Sequence, residues 1–120
     1  MPAYVDGFLL AVPKRKIAVY RQISRRAGKI WREHGALEYR ECVGDDLNLK
    51  MGRPFAKAAG LKSGETVVFS WIVYRSRAER DRVNRKVMSD PRMAKMMNVP
   101  MPFDVKRMSM GGFRVIVDLA

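Results

Sequence analysis

The chain has 120 residues, of which 48% are hydrophobic and 30% are charged, a composition typical of one globular domain spanning residues 1–120. Its formal charge of +12 leaves an acidic partner open but says nothing about fold. No stretch is long and apolar enough to be predicted as a membrane span or signal peptide, and a single cysteine excludes an internal disulfide, so the expected compartment is the cytoplasm.

Six predicted elements follow in the order strand, helix, strand, strand, helix, strand. The strands are Tyr4–Val12, Leu37–Val43, Thr66–Tyr74 and Gly112–Leu119, and the helices are Lys14–His34 and Ser76–Met88. This order repeats the split βαβ unit. The predicted fold class is therefore α+β, a ferredoxin-like βαββαβ plan whose four-stranded antiparallel sheet carries helices on one face.

Local signals support the helices. In the first helix, apolar residues recur at steps of three and four, at Ile17, Tyr20, Ile23, Ala27, Ile30 and Trp31. Gly35 follows its last turn, where glycine is favoured. Ser76 and Glu79 have capping-box spacing, and Asp90-Pro91 predicts the start of a short third helix.

The connection Gly44–Gly64 is long for a compact domain, and it contains one predicted helical turn at Phe55–Ala59. Connections of this length are often functional. A methionine cluster follows the second helix, and packing between helix and loop is the favoured interpretation over an adaptable pocket. The cluster consists of Met88, Met93, Met96, Met97, Met101, Met108 and Met110.

The third predicted strand is apolar on both faces. Val67, Phe69, Trp71 and Val73 alternate with Val68, Ser70 and Ile72. One layer of helices cannot cover both faces of a sheet. We therefore predict a homodimer that packs sheet against sheet and forms a dimeric α+β barrel.

Motifs along nearly the whole chain resemble one known family. They include Tyr4-Val5-Asp6-Gly7-Phe8, Glu41-Cys42-Val43-Gly44-Asp45-Asp46, Glu65-Thr66-Val67-Val68-Phe69-Ser70-Trp71, Asp90-Pro91-Arg92-Met93, Met101-Pro102-Phe103-Asp104 and Gly111-Gly112-Phe113. These stretches resemble the YbaA-like family of uncharacterised bacterial proteins, domain of unknown function 1428, in the dimeric α+β barrel group. The resemblance implies this fold and a homodimer, and it implies no reaction because the family has no established activity.

Few residues suit metal or nucleophilic chemistry. His34 is the only histidine, which excludes a site with several histidine ligands, and its place at a helix end favours a packing role. Asp45 and Asp46 are too few for a calcium site, so no metal and no cofactor are predicted. Cys42 lies on a strand without a second cysteine, and we expect a buried, unreactive thiol.

Polar side chains on the strands are the candidates for a ligand site, namely Asp6, Arg40, Glu41, Ser70, Arg114 and Asp118. The predicted ligand-binding set is Asp6, Ser70, Trp71 and Arg114. Asp6 interrupts an apolar central strand, so it should face an apolar space near Arg114 or Ser70, bounded by the sheet and the Gly44–Gly64 loop. It should be paired with a cation or protonated, and an ion pair that only stabilises packing is the alternative.

Two functions remain open. In the first, the protein binds or converts a small molecule in a pocket of the barrel. In the second, its basic helices contact an acidic partner, including nucleic acid without sequence specificity. Sequence-specific RNA binding is not expected, because the third strand lacks the glycine-aromatic signature of RNA-recognition modules.

Overall fold

The structure, a computed structural model, describes residues 2–119. The strands are β1 (Tyr4–Pro13), β2 (Glu38–Val43), β3 (Glu65–Tyr74) and β4 (Ser109–Arg114). The helices are α1 (Ile17–Glu33), α2 (Phe55–Ala58), α3 (Arg77–Met88) and α4 (Pro91–Met97), with 3-10 turns at Lys14–Lys16 and Val105–Arg107. The sheet is antiparallel in the order β2-β3-β1-β4, which confirms the ferredoxin-like α+β prediction. Among residues 2–119, no helix is both long and apolar enough to cross a bilayer.

The predicted position of the last strand was wrong. β4 pairs with β1 from Leu9 opposite Ser109 to Tyr4 opposite Arg114, and Tyr4 is the first residue of β1. Beyond this point the backbone N–H of Val115 still donates to Ala3, at 3.1 Å. The apolar alternation of residues 115–119 predicted a strand, but β1 begins too late to pair with it.

Side-chain caps and one left-handed glycine set the helix ends. Gly35, at φ 122°, follows α1, and its N–H donates to Arg32. The Oγ atom of Ser76 accepts from the N–H of Glu79 at 3.2 Å, and Asp90 accepts from the N–H of Arg92 at 2.9 Å. The predicted N-cap bonds of Ser76 and Asp90 are therefore present, whereas the carboxylate of Glu79, the other half of the predicted capping box, accepts from Arg82.

The helix-end role predicted for His34 agrees with its contacts. Its Nε2 atom lies 2.9 Å from Oδ2 of Asp90, which joins the end of α1 to the start of α4. Arg92 adds a second link between these helices, because it donates to Glu33 at 2.7 Å.

The register gives the sheet two distinct faces. The inner face carries Phe8, Leu10, Val68, Ser70 and Ile72, which lie towards α1 and α3. The outer face carries the alternate residues, including Val5, Leu9, Phe69, Trp71 and Phe113. The short α2 contacts this second face, where Phe55 lies 5.8 Å from Phe69 between ring centroids. The longer helices thus cover the inner face, and the outer face stays largely open.

Candidate functional site

Two cavities adjoin between α1 and the inner face of the sheet. The surface cleft, about 790 Å³, opens between α1 and β2. The inner cavity, about 190 Å³, lies between α1 and the middle of the sheet, with Phe8, Leu10, Trp31 and Phe103 in its wall. Four residues line both spaces, namely Tyr20, Ser24, Tyr39 and Glu41. These shared residues make the two spaces neighbours, and we treat them together as one candidate site.

The carboxylate of Glu41 forms the polar centre of this site. The hydroxyl of Tyr20 donates to its Oε1 atom at 2.7 Å, and that of Tyr39 donates to its Oε2 atom at 2.8 Å. Tyr20 projects from α1, whereas Tyr39 and Glu41 alternate along the inner face of β2. Burial, and after it the charge of Glu41, raises the pKa of both tyrosines far above the ordinary value. Both hydroxyls therefore remain protonated donors at neutral pH.

A glycine in α1 makes room for this arrangement. Gly28 is buried, and a Cβ atom there would lie 2.6 Å from Cδ1 of Tyr39 and 2.7 Å from Cε1. The ring of Tyr39 thus packs directly on the backbone of α1. The same ring lies 6.1 Å from that of Trp31, so it has little space to retreat.

Gly28→Ala should destabilise the protein by up to about 2 kcal/mol. Alanine gains about 1 kcal/mol in helix propensity, but overpacking a filled site costs roughly 1–3 kcal/mol and here exceeds that gain. Denaturant unfolding measures the difference. Tyr39→Leu in the Gly28→Ala background should lose less than the sum of the two single changes. A gain of stability in Gly28→Ala would contradict the close packing.

The edge of the surface cleft is mostly positively charged, and Glu33, which also lines it, is paired with Arg92. Arg21, Arg25 and Lys29 lie along this edge, and within residues 2–119 none of the three forms an ion pair. Arg32, also at this edge, donates to the backbone carbonyls of Ala36 and Leu37. Three cations of the cleft therefore have no ion-pair partner within the described part of the chain.

The structure does not bring the four predicted ligand-binding residues together. Ser70 is buried and lines the inner cavity. The indole of Trp71 lies on the outer face, where its Nε1 atom donates to Glu38 at 3.1 Å, although Trp71 also contributes to the wall of the inner cavity beside Ser70. Arg114 is exposed at the end of β4. Two faces of the sheet and one strand end thus separate these side chains.

Asp6 is buried against α3. Its Oδ1 atom accepts from Arg80 at 3.0 Å, so a cation does pair with Asp6, but this cation comes from α3, whereas Asp6 was expected near Arg114 or Ser70. Burial raises the pKa of Asp6, while the charge of Arg80 and a hydrogen bond from Asn84 oppose the rise. The Gly44–Gly64 loop enters β3 at Glu65, whereas Asp6 pairs with Ile72 near the other end, so this loop does not bound its surroundings.

Sequence reasoning missed Tyr20 and Tyr39 as site residues. The available signal was the pair Tyr39 and Glu41, two residues apart and hence on one face of a strand. Cys42 was predicted to be buried, but it is exposed, because β2 is an edge strand.

The methionines divide between two environments. Met101 and Met108 line the inner cavity, and Met93 belongs to the core. Met88, Met97 and Met110 are exposed. Within the described part of the chain, no three His, Cys, Asp or Glu side chains converge as a metal site would require.

Comparison with known sequences gives a consistent match. The family model described as "Protein of unknown function (DUF1428)" matches residues 3–105. The uncharacterized protein YbaA of Escherichia coli K12 is 46% identical over 115 residues, which is 96% of this chain and 97% of YbaA. YbaA of Shigella flexneri gives the same figures.

Comparison with solved structures identifies the same fold at low identity. A mutant of SnoaB, described as a cofactor-independent oxygenase from Streptomyces nogalater, aligns with a TM-score of 0.63 at 11% identity, over 99% of this chain and 98% of SnoaB. A dimeric ferredoxin-like protein from an uncultured marine organism aligns with a TM-score of 0.54 at 10% identity, over 99% of this chain and 100% of the other. At these identities the likeness concerns the fold alone.

Proposed function

Because the chain belongs to the DUF1428 family of proteins of unknown function, we propose its function from its own geometry: it is a homodimeric α+β barrel protein that binds a small molecule in the surface cleft and inner cavity.

The adjacency of the two cavities, which share four lining residues, is the observation that supports this proposal. Ligand sites are concave, largely apolar and equipped with a few convergent polar groups, with volumes of about 300–1,000 Å³. The surface cleft, about 790 Å³, falls in this range, and the inner cavity extends it towards the core. Tyr20, Tyr39 and Glu41 supply the polar groups where the cavities meet.

The shared fold supports the proposal only in general terms. SnoaB is described as an oxygenase that needs no cofactor, so a protein of this fold can carry out small-molecule chemistry. Fold likeness does not transfer a reaction, and we propose none.

A larger side chain inside the site tests whether the cavities bind a ligand. Ser24 lines both cavities, so the larger side chain of Ser24→Leu should fill space at their boundary and weaken binding of 2-naphthalenemethanol at least tenfold, as measured by calorimetry. A ligand of this size should bind the unchanged protein with a Kd of about 0.1–1 mM. The control is Gln22→Leu, because Gln22 is exposed on the same helix and lines neither cavity. Equal binding by both variants, or none by the unchanged protein, would contradict the proposal.

The proposed dimer uses the outer face of the sheet. Phe69 is 44% exposed and Phe113 is 62% exposed on this face, where they border a shallow concavity of about 540 Å³ with Val5, Leu9 and Trp71. Exposed apolar surface of this kind marks association sites. A second copy offers the same apolar face, and a twofold contact between the two would complete the barrel.

Contact between the basic helices and an acidic partner is the alternative function. The cations that would serve it are Lys14, Arg15, Arg25, Arg26, Arg77, Arg85 and Lys86, and all are exposed. Such binding would carry no sequence preference and would weaken steeply with salt, unlike binding of a neutral molecule in the cavities. The lone cysteine fits the cytoplasm, which remains the expected compartment.

A further inference from the structure

We infer that the molecule bound in this site is an amphipathic anion, whose carboxylate or phosphate lies against Arg21, Arg25 and Lys29 while its apolar body occupies the inner cavity. The inference rests on the proposed small-molecule function and names the class of ligand.

The three cations form one stripe. Steps of four residues place Arg21, Arg25 and Lys29 along one side of α1, and all three line the surface cleft. The two acidic residues that line the cleft, Glu33 and Glu41, already accept hydrogen bonds. Glu33 accepts from Arg92 at 2.7 Å, and within residues 2–119 the stripe itself has no ion-pair partner. An anionic ligand group would supply the missing charge, and arginine matches carboxylate and phosphate geometry.

The inner cavity favours an apolar ligand group, in contrast to the charged edge of the cleft. The inner cavity is walled by Phe8, Leu10, Ile23, Trp31 and Phe103, which favour an apolar group. Its volume, about 190 Å³, corresponds to roughly six water molecules at ~30 Å³ each, the scale of an aromatic ring system.

Glu41 determines which end of the ligand enters the inner cavity. Both of its oxygens already accept hydrogen bonds, at 2.7 and 2.8 Å, and its carboxylate stands where the two cavities meet. It repels an anion from the inner cavity and keeps the anionic end beside the stripe. A ligand with a cationic end would instead meet three like charges at the mouth of the cleft.

Three naphthalene probes test the ligand class. 2-Naphthoate, 2-naphthalenemethanol and 2-naphthylmethylamine share one apolar body and differ in charge. By calorimetry, 2-naphthoate should bind at least tenfold tighter than the alcohol, and the amine should bind more weakly than the alcohol. 2-Naphthyl phosphate should resemble 2-naphthoate, whereas inorganic phosphate alone should compete with it only weakly.

Two matched triple variants separate local recognition from net charge. Replacing Arg21, Arg25 and Lys29 by glutamine should raise the dissociation constant of 2-naphthoate at least tenfold. The same variant should change the dissociation constant of the alcohol less than twofold. The control replaces Arg15, Arg26 and Lys86 by glutamine, since these exposed residues line neither cavity and the charge change is equal. This control should keep the affinity for 2-naphthoate within about threefold, because distant exposed charges are screened.

The outcomes distinguish this inference from the proposed function. If the alcohol binds, Ser24→Leu prevents this binding, and 2-naphthoate binds no more tightly than the alcohol, the anion inference fails. The proposed small-molecule site is then still supported. If both triple variants lower the affinity for 2-naphthoate equally, only the overall charge of the protein attracts the anion, and the inference fails. If no probe binds the unchanged protein, both the inference and the proposed function fail.

Discussion

Replacing Phe69 by arginine is expected to convert the protein from a dimer to a monomer. At micromolar concentration, sedimentation equilibrium of the unchanged protein should give twice the chain mass of 13.8 kDa. In a twofold interface Phe69 occurs once on each copy, so Phe69→Arg places two guanidinium groups in an apolar contact. Burying an unpaired charge is costly, and we expect the dimer dissociation constant to rise at least a hundredfold.

The matched control for this change is Val19→Arg. Val19 is 50% exposed on α1, close to the 44% of Phe69, but it belongs to the helix layer on the other side of the sheet. This variant should remain dimeric, and both variants should keep the same circular dichroism spectrum. A monomeric, well-folded unchanged protein would overturn the dimer proposal. So would a Phe69→Arg variant that sediments as a dimer.

Arg80→Leu should destabilise the fold by about 3 kcal/mol at neutral pH. Asp6 is only 5% exposed, and Arg80 is the cation that compensates its charge, at 3.0 Å. Removing one partner of a buried ion pair leaves an uncompensated charge, at a cost of about 3–5 kcal/mol. The side chain of Arg80 is 20% exposed, which favours the lower end of that range. Denaturant unfolding at fixed protein concentration measures the loss.

The pH dependence of this loss identifies its cause. The folded-state pKa of Asp6 is already raised by burial, and without Arg80 it should rise further. A raised carboxyl pKa penalises the folded state at pH values above it; the penalty shrinks as pH falls below that pKa and vanishes near the unfolded-state value. The difference between Arg80→Leu and the unchanged protein should therefore shrink as pH falls from neutral towards the ordinary carboxyl range, about pH 4.

Two variants serve as controls for the buried pair. Asp6→Asn in the Arg80→Leu background removes the buried charge and should recover part of the stability. Arg85→Leu, at an exposed position of α3, should stay within about 0.5 kcal/mol of the unchanged protein. A pH-independent loss would show that packing of the Arg80 side chain over the ring of Tyr4, 4.9 Å from its centroid, matters more than charge.

The fold was predictable because its signals are local. The apolar run of β3, the apolar spacing of α1 and the caps at Ser76 and Asp90 each follow from a few neighbouring residues. The end of β4 is different, since an alternating sequence forms a strand only where a neighbour is available. Nothing within residues 115–119 reveals that β1 begins at Tyr4.

The site was less predictable because its contacts are distant along the chain. Asp6 and Arg80 are 74 positions apart, and burial indicated the need for a cation without indicating which of the many arginines supplies it. Tyr20 fits an apolar stripe whether or not its hydroxyl has a partner. Its bond to Glu41 emerges only when α1 packs across β2.

Strand β2 contributes to both proposed surfaces of the protein. Tyr39 and Glu41 point towards the cavities, while Glu38 and Arg40 alternate with them on the outer face, where Glu38 accepts from Trp71. Because alternate side chains share one backbone, a displacement of β2 on one side is also a displacement on the other. Ligand occupancy and self-association are then linked equilibria. By reciprocity, any factor by which dimerisation changes ligand affinity is the factor by which the ligand changes the dimer constant.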